Sequence, residues 1–148
     1  MLSSETLNAR QRRQRGITLI ELLVVVTIIA MFGALVLPRL WKKVSGAKQT
    51  AAREQINGFM TALGMYKLDT GYFPSTEQGL QALRVKPPGV DRWDGPYLPQ
   101  DIPNDPWGRP YIYKYPGEHG EEPDIISYGA DGREGGEGEN ADVVSWKH

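Results

Sequence analysis

The chain has 148 residues, a formal net charge of −1 and no cysteine. This length allows one membrane-anchored domain. The near-neutral charge excludes the overall basic field that nucleic-acid-binding proteins use, and the lack of cysteine excludes disulfides and thiolate metal sites.

Residues 1–16 form a basic N-terminal segment. One acidic residue, Glu5, stands against four arginines: Arg10, Arg12, Arg13 and Arg15. Positive residues beside an apolar segment stay on the cytoplasmic side of a membrane. Residues 1–16 are therefore predicted to be cytoplasmic, and the chain that follows the apolar segment is predicted to lie across the membrane.

Residues 17–38 are almost uniformly apolar and predict a membrane-spanning helix. Such a helix would be roughly 33 Å long, which matches a hydrocarbon core of about 30 Å. A secretory signal peptide has a shorter apolar stretch followed by a small-residue cleavage site, and residues 17–38 show neither feature. A simple signal anchor remains as an alternative.

Glu21 is the one carboxylate of this apolar segment. An ionised carboxylate in hydrocarbon costs about 2.5 to 3.5 kcal/mol on insertion scales. Two interpretations are open on chemistry alone. Glu21 either reaches water from one turn inside the interface, or marks a contact with a partner.

Gly16 followed by Ile-Thr-Leu-Ile-Glu resembles the class III signal of the type IV pilin-like superfamily. In that superfamily a prepilin peptidase cuts after the glycine on the cytoplasmic face and methylates the new N-terminus. The resemblance implies cleavage between Gly16 and Ile17 and methylation of Ile17. It also implies that Glu21 is an assembly residue that pairs with the freed amine of a neighbouring subunit, an attraction that strengthens where both groups are desolvated.

After Pro38 the apolar residues follow one stripe of a helix. This stripe predicts the helix on which the globular domain packs, with its end at Gly71, because glycine is a common C-cap residue. Pro38 lacks an amide hydrogen and is predicted to kink or loosen the helix near Gly33 and Ala34. The stripe consists of Leu40, Val44, Ala47, Ala51, Ile56, Phe59, Met60, Leu63 and Tyr66.

Ser75 and Gln78 have the spacing of a capping box. They predict a short helix that starts at Ser75 and ends before residues 86–89. Proline, glycine, aspartate and asparagine then dominate as far as Pro110, which predicts a long loop.

Short runs of aromatic or β-branched residues predict a small antiparallel sheet in the C-terminal part of the chain. Residues 111–115 and 124–128 are two predicted strands. Residues 142–146 are either another strand or a return segment that packs Trp146 on the domain. The aromatic residues of this half are predicted to supply core area rather than a ligand-stacking surface; they are Trp93, Trp107, Tyr111, Tyr113 and Tyr115.

Residues 129–142, here called the acidic loop, combine many glycines with crowded oxygen side chains. Carboxylate repulsion and the entropy of ordering glycines both oppose a fixed loop, and a calcium ion would offset both. Arg133 and Gly135 break the EF-hand pattern, so a solvated loop and a cation site are both open on composition. The oxygen side chains are Asp131, Glu134, Glu137, Glu139, Asn140 and Asp142.

Three stretches in the soluble part resemble the major-pseudopilin family of type II secretion systems, the general secretion pathway G proteins. They are YFPSTEQGLQAL, DPWGRPYIYKYPGEHG and DIISYGADGREGGEGENADVVSW, in that order. The resemblance implies an α+β, type IV pilin-like fold in which a long N-terminal helix packs on a small antiparallel sheet with long loops. It divides the chain into a cleaved leader (1–16), a membrane and assembly helix (17–38) and a periplasmic domain (39–148).

This resemblance also implies a function and partners. The family builds a helical filament of identical subunits from the inner membrane into the periplasm, which helps drive folded proteins across the outer membrane. Implied partners are other copies of the chain, the prepilin peptidase, minor pseudopilins, the membrane and the inner-membrane assembly platform. An alternative is a type IV pilin of a surface fibre, although many such pilins close their C-terminal loop with a disulfide.

Major pseudopilins bind a structural calcium ion in the C-terminal loop, and the resemblance implies a site here. The implied side-chain ligands are Asp131 and Asp142, with the carbonyls of Tyr128 and Arg133. Some relatives have consecutive aspartates where this chain has Ala141 before Asp142, so Asn140 or the carbonyl of Val143 is an alternative ligand.

An enzyme is not predicted. The acid–base inventory near neutral pH is His119 and His148, and the chain has neither a cysteine nucleophile nor a G-x-S-x-G or H-E-x-x-H motif. His119 is predicted to be a turn residue.

Overall fold

The computed structural model describes residues 16–147, which form two compact units, one ending at Arg39 and the other beginning at Leu40. The predicted leader, residues 1–16, lies outside the described residues except for Gly16. The helices and strands combine as an α+β chain, as predicted. In chain order they are helix α1 (Leu19–Thr70), a 3₁₀ helix (Leu80–Leu83), strand β1 (Ile112–Lys114), strand β2 (Asp124–Ser127), a second 3₁₀ helix (Gly138–Asn140) and strand β3 (Val143–Val144).

The first unit consists of the apolar half of α1. The helix starts at Leu19, where Thr18 acts as an N-cap because its Oγ1 accepts a hydrogen bond from the Glu21 amide at 3.3 Å. Among residues 16–147, α1 is the one helix long and apolar enough to cross a membrane. Its large apolar side chains are exposed in the single chain, so their burial must come from lipid or from other chains.

The helix runs without interruption through Pro38. Gly33 and Ala34 are both helical, so the predicted loosening of the helix is not seen there, and the alternative of a kink stays a prediction. Proline removes one hydrogen bond from a ladder that continues on either side, and this loss does not end a helix of 52 residues.

The stripe of α1 that faces the core begins later than the sequence predicts. Ile56, Phe59, Leu63 and Tyr66 are buried as predicted, together with Ala52. The earlier part of the predicted stripe is exposed, because the domain covers only the C-terminal turns of the helix; it comprises Leu40, Val44, Ala47 and Ala51.

Glycine ends α1 as predicted. The helix stops at Thr70, and Gly71 takes a φ of +92°, which residues with a Cβ rarely adopt. The Gly71 amide donates to the Lys67 carbonyl at 2.8 Å, so the end of the helix is satisfied.

The predicted capping box forms, but residues 76–79 are a turn, so the predicted helix start at Ser75 is wrong. The Ser75 amide donates to Gln78 Oε1 at 2.9 Å, and the Gln78 amide donates to Ser75 Oγ at 3.3 Å. Gly79 then adopts a φ of +61° and interrupts the turn, so that a 3₁₀ helix follows at Leu80–Leu83. The predicted end before residues 86–89 is correct.

The sheet has three antiparallel strands in the order β1-β2-β3. Tyr113 pairs with Ile125, and Ser127 pairs with Val143. The open choice for residues 142–146 is thereby settled in favour of a strand at Val143–Val144. Trp146 follows it and stacks on the ring of His119, with centroids 3.6 Å apart and planes 4° from parallel.

The aromatic residues supply the core, as predicted. Tyr111 and Tyr113 are buried, and Trp93, Trp107 and Tyr115 pack against the buried cluster. The Tyr113 hydroxyl donates to the Pro74 carbonyl at 2.8 Å, and the Tyr111 hydroxyl donates to Gln55. Burial raises the pKa of both Tyr111 and Tyr113.

These raised pKa values predict loss of stability at alkaline pH. In the unfolded chain tyrosine ionises near pH 10, whereas the folded chain holds its protons to higher pH. The stabilisation is therefore complete below pH 10 and declines above it, by up to about 1.4 kcal/mol per pH unit for each group. We expect Tyr113→Phe to flatten this decline in urea unfolding of the full chain in detergent between pH 9 and pH 11.5. Equal slopes in the two proteins would contradict it.

Candidate functional site

The predicted cleavage position lies immediately before helix α1. Gly16, Ile17 and Thr18 are outside the helix, and Gly16 and Ile17 are exposed. No atom lies within 4 Å of the place where a Cβ on Gly16 would be. The cleavage between Gly16 and Ile17 and the methylation of Ile17 stay predictions.

Glu21 lies in the first turn of α1, with its side chain exposed. A negative charge near a helix N-terminus is favourable because the helix dipole is positive there. None of the ion pairs found within residues 16–147 involves Glu21. Its predicted partner, the amine of a neighbouring chain, requires a second copy and stays a prediction.

The strand register brings two of the predicted calcium ligands together. Ser127 pairs with Val143, so the next residues along, Tyr128 and Asp142, face each other at the mouth of the acidic loop. Asp142 Oδ2 accepts the amide of Gly135 at 2.8 Å. Asp142 Oδ1 is buried without a hydrogen-bond partner. A bound cation would give this oxygen the partner that it lacks.

The backbone of the acidic loop closes on itself near Gly129. A Cβ on Gly129 would lie 2.8 Å from the Ala141 carbonyl oxygen and 2.9 Å from that of Glu139, so no other residue fits. Gly129 also has a φ of +65°, and the Ala130 amide donates to the Glu139 carbonyl at 3.0 Å. The two ends of the loop therefore run side by side with several carbonyl oxygens close together.

The structure does not gather the remaining predicted ligands into a carboxylate cluster. Asp131 is exposed, and its Oδ1 accepts the amide of Arg133 at 3.1 Å. Arg133 and Asn140 are exposed, and Val143 is buried. Within the described part of the chain, no group of three His, Cys, Asp or Glu side chains is placed to hold a metal. A cation here would have at most two carboxylates and would otherwise depend on carbonyl oxygens and water, a ligand set that calcium accepts and transition metals disfavour.

Two side chains that sequence reasoning missed hold the acidic loop from outside. The Arg109 guanidinium donates to the carbonyls of Gly129 at 2.7 Å and Ala130 at 2.9 Å. Gln49 on α1 donates to the carbonyls of Gly138 and Ala141. Arg109 stands inside one of the stretches that carried the resemblance, but nothing in its spacing pointed to a loop 20 residues away.

Asp105 fixes the turn from which Arg109 projects. Its Oδ1 accepts the amides of Trp107 at 3.1 Å and Arg109 at 2.8 Å, and its Oδ2 accepts the Ser127 hydroxyl at 2.6 Å. Asp105 is 4% exposed. A buried carboxylate with three donors is satisfied, so its role is to hold the 105–109 turn on strand β2.

His119 is part of a similar structural contact. Its Nδ1 lies 2.9 Å from Oδ2 of Asp124, a buried carboxylate that also accepts the Glu118 amide at 2.8 Å. His119 lies in the bend after β1, as predicted, and stacks on Trp146. Through these two contacts, His119 links Trp146 in the C-terminal segment to Asp124 in strand β2.

A long apolar N-terminal helix with a processing signal and a small α+β domain define a pilin-like protein. Residues 11–37 match the prokaryotic N-terminal methylation motif. Residues 39–146 match the family model of the type II secretion system protein G. The chain belongs to the type II secretion system protein G family, so the resemblance predicted from its sequence is confirmed.

Individual relatives agree with this family over nearly the whole chain. The type II secretion system core protein G of Pseudomonas aeruginosa is 44% identical over 140 residues, covering 93% of this chain and 98% of the relative. That of Vibrio cholerae is 41% identical over 140 residues, covering 93% and 94%. The family match favours the secretion subunit over a pilin of a surface fibre.

The fold is also that of a solved relative. The major pseudopilin from the type 2 secretion system of enterohaemorrhagic Escherichia coli superposes with a TM-score of 0.61 at 34% identity, covering 74% of this chain and 95% of that one. The predicted pilin-like fold is confirmed. The family is one of structural pseudopilins and is not a known enzyme family.

Removing the Asp105 carboxylate is expected to destabilise the domain. Asp105→Ala would leave the buried Ser127 hydroxyl and two amides without an acceptor, which costs about 2 to 4 kcal/mol. Asp101→Ala is the matched control, because that carboxylate is 95% exposed and pairs only with Arg84; its effect is expected to stay within about 1 kcal/mol. Urea unfolding of the full chain in detergent measures both. Equal losses would show that the Asp105 network does not support the fold.

Proposed function

We propose that the chain is the major structural subunit of the type II secretion pseudopilus, a periplasmic filament that helps drive folded proteins across the outer membrane. Family membership supports this role. The observation that carries it is the exposed apolar surface of α1 between Ile20 and Leu37, which a single chain leaves uncovered. Stacked copies of the same helix would bury that surface outside the membrane.

We infer that the subunit waits in the inner membrane before assembly. The arginines of residues 1–16 favour a cytoplasmic N-terminus, and α1 is long and apolar enough for a single pass. The domain after residue 38 then faces the periplasm. Minor pseudopilins and the inner-membrane assembly platform are the partners that such a subunit requires.

Processing is proposed to create the charge that assembly uses. A prepilin peptidase cuts between Gly16 and Ile17 and methylates Ile17, whose amine stays cationic. Glu21 of a neighbouring copy then gains an opposite charge inside a packed helical core. The attraction between such charges rises as water is excluded, so the pair favours the assembled state over the free subunit.

Substituting Glu21 tests this assembly step. Glu21→Gln removes the charge and keeps the size, so we expect membrane insertion and cleavage to persist and assembly to fail. Cross-linking in cells, read as a ladder of multimers, and the amount of exoprotein in the medium measure the loss. Glu54→Gln is the matched control, because Glu54 is an exposed carboxylate later in the same helix. A normal ladder from Glu21→Gln would contradict the proposed pairing.

We also propose that the acidic loop binds a structural calcium ion. Asp131 and Asp142 would supply carboxylates, Tyr128 and Arg133 carbonyls, and Asn140 or the carbonyl of Val143 a further oxygen. Bound there, calcium would supply positive charge that offsets carboxylate repulsion and ties the ends of the loop together. The buried, unpartnered Oδ1 of Asp142 and its position opposite Tyr128 support this site.

Calcium is therefore expected to raise the melting temperature of the full chain in detergent. At a concentration 100 times the Kd, binding adds about 2.7 kcal/mol to the free energy of unfolding. Asp131→Ala should abolish the rise. Glu134→Ala should retain it, since Glu134 is an exposed acidic residue of the same loop without a proposed ligand role. Equal melting of the wild type in calcium and in chelator would contradict the site.

A further inference from the structure

The side chain of Arg109, which lies outside the acidic loop, binds the backbone at the start of the loop. The Arg109 guanidinium donates to the carbonyls of Gly129 and Ala130, at 2.7 and 2.9 Å. On the other side of Asp131, a Cβ on Gly132 would lie 2.6 Å from Arg109 Nε, and Gly132 has a φ of +67°. The guanidinium thus hydrogen-bonds the backbone immediately before Asp131 and occupies the space beside Gly132 immediately after it, where any Cβ would clash.

Arg109 is itself held in place by a buried acceptor. Its amide donates to Asp105 Oδ1 at 2.8 Å, while Asp105 Oδ2 binds the hydroxyl of Ser127 at the end of β2. The turn that carries Arg109 and the strand that leads into the acidic loop are therefore joined through one carboxylate. The backbone of Arg109 is therefore held by the folded core, and its guanidinium reaches the acidic loop from there.

This arrangement is unexpected for a cation site on charge alone. A guanidinium beside a calcium loop repels the ion, so a site selected only for electrostatic attraction would not place one there. The planar fork of arginine can, however, donate from two nitrogens to two carbonyls in a fixed geometry, which the single ammonium of lysine does not reproduce. The geometry therefore favours a role in shaping the loop over a role in its charge balance.

We propose that Arg109 is a positioning residue that sets the cation affinity of the acidic loop by fixing the backbone on both sides of Asp131. This inference rests on the proposed calcium site. Arg109 does not bind the ion; it holds the segment that presents Asp131. Mutating residues that hold a metal ligand in place without touching the metal commonly changes metal affinity by about 10- to 100-fold.

Two substitutions separate positioning from charge. Arg109→Lys keeps the positive charge and loses the two-pronged grip, whereas Arg109→Met removes the charge and keeps similar length. If Arg109 positions the loop, both variants bind calcium about 10- to 100-fold more weakly. If its charge matters instead, Arg109→Met binds calcium more tightly than the wild type and Arg109→Lys binds it equally.

The measurement is calorimetric titration of calcium into the full chain in detergent, with melting in chelator measured on the same samples. Arg53→Met is the control, because Arg53 is an exposed arginine whose guanidinium donates to the Lys147 carbonyl, a residue outside the acidic loop. Its calcium affinity should equal that of the wild type. Weaker binding by both Arg109 variants, beyond any change in Arg53→Met, supports the proposal.

Three outcomes would overturn it. Tighter binding by Arg109→Met identifies a charge effect. If the Arg109 variants keep the calcium affinity of the wild type but have a lower melting temperature in chelator, Arg109 is purely structural. A wild-type protein that binds no calcium removes the proposed site itself, and is distinguished from the other two because it appears before any variant is compared.

Discussion

The main constraint on this protein is the exposed apolar surface of the first half of α1, which needs to be covered by lipid or by other chains. Roughly 20 almost uniformly apolar residues carry a single carboxylate, and residues 16–147 leave their large side chains exposed. Lipid can cover the apolar side chains but leaves Glu21 without a partner, whereas copies of the same processed helix can do both. The proposed function therefore gives the helix two environments, a membrane before assembly and a helical bundle after it. The proposed processing at Gly16 and Ile17 would create the charge that favours the bundle.

In the globular domain, the long acidic loop has to be held in place without disulfides, because the chain has no cysteine. The buried face of α1, Tyr111, Tyr113 and the short sheet are stabilised by burial of apolar surface. The acidic loop gains little from burial, and is instead held at its start by Arg109 and at its end by Gln49. Asp105 connects this arrangement to β2. A bound cation would further stabilise the acidic loop, whose ends are already held by the side chains of Arg109 and Gln49.

Signals that act over a few residues predicted the fold well. The capping box of Ser75 and Gln78 and the stop at Gly71 depend only on neighbouring residues, and both form as expected. The first part of the α1 stripe was predicted wrongly, because periodicity shows which residues share a face but not whether the domain reaches them. Arg109 and Gln49 could not be found from the sequence, since their partners lie 20 and 89 residues away and are backbone carbonyls, which every residue type offers.

The most direct test is the intact mass of the chain recovered from the filament fraction of cells that contain the prepilin peptidase. The proposed assembly requires a free, methylated amine at Ile17, so every filament subunit should have lost residues 1–16 and gained one methyl group. Cells without the peptidase should yield full-length chain in the membrane and none in filaments. An uncut chain in the filament fraction would contradict the pairing of the N-terminal amine with Glu21.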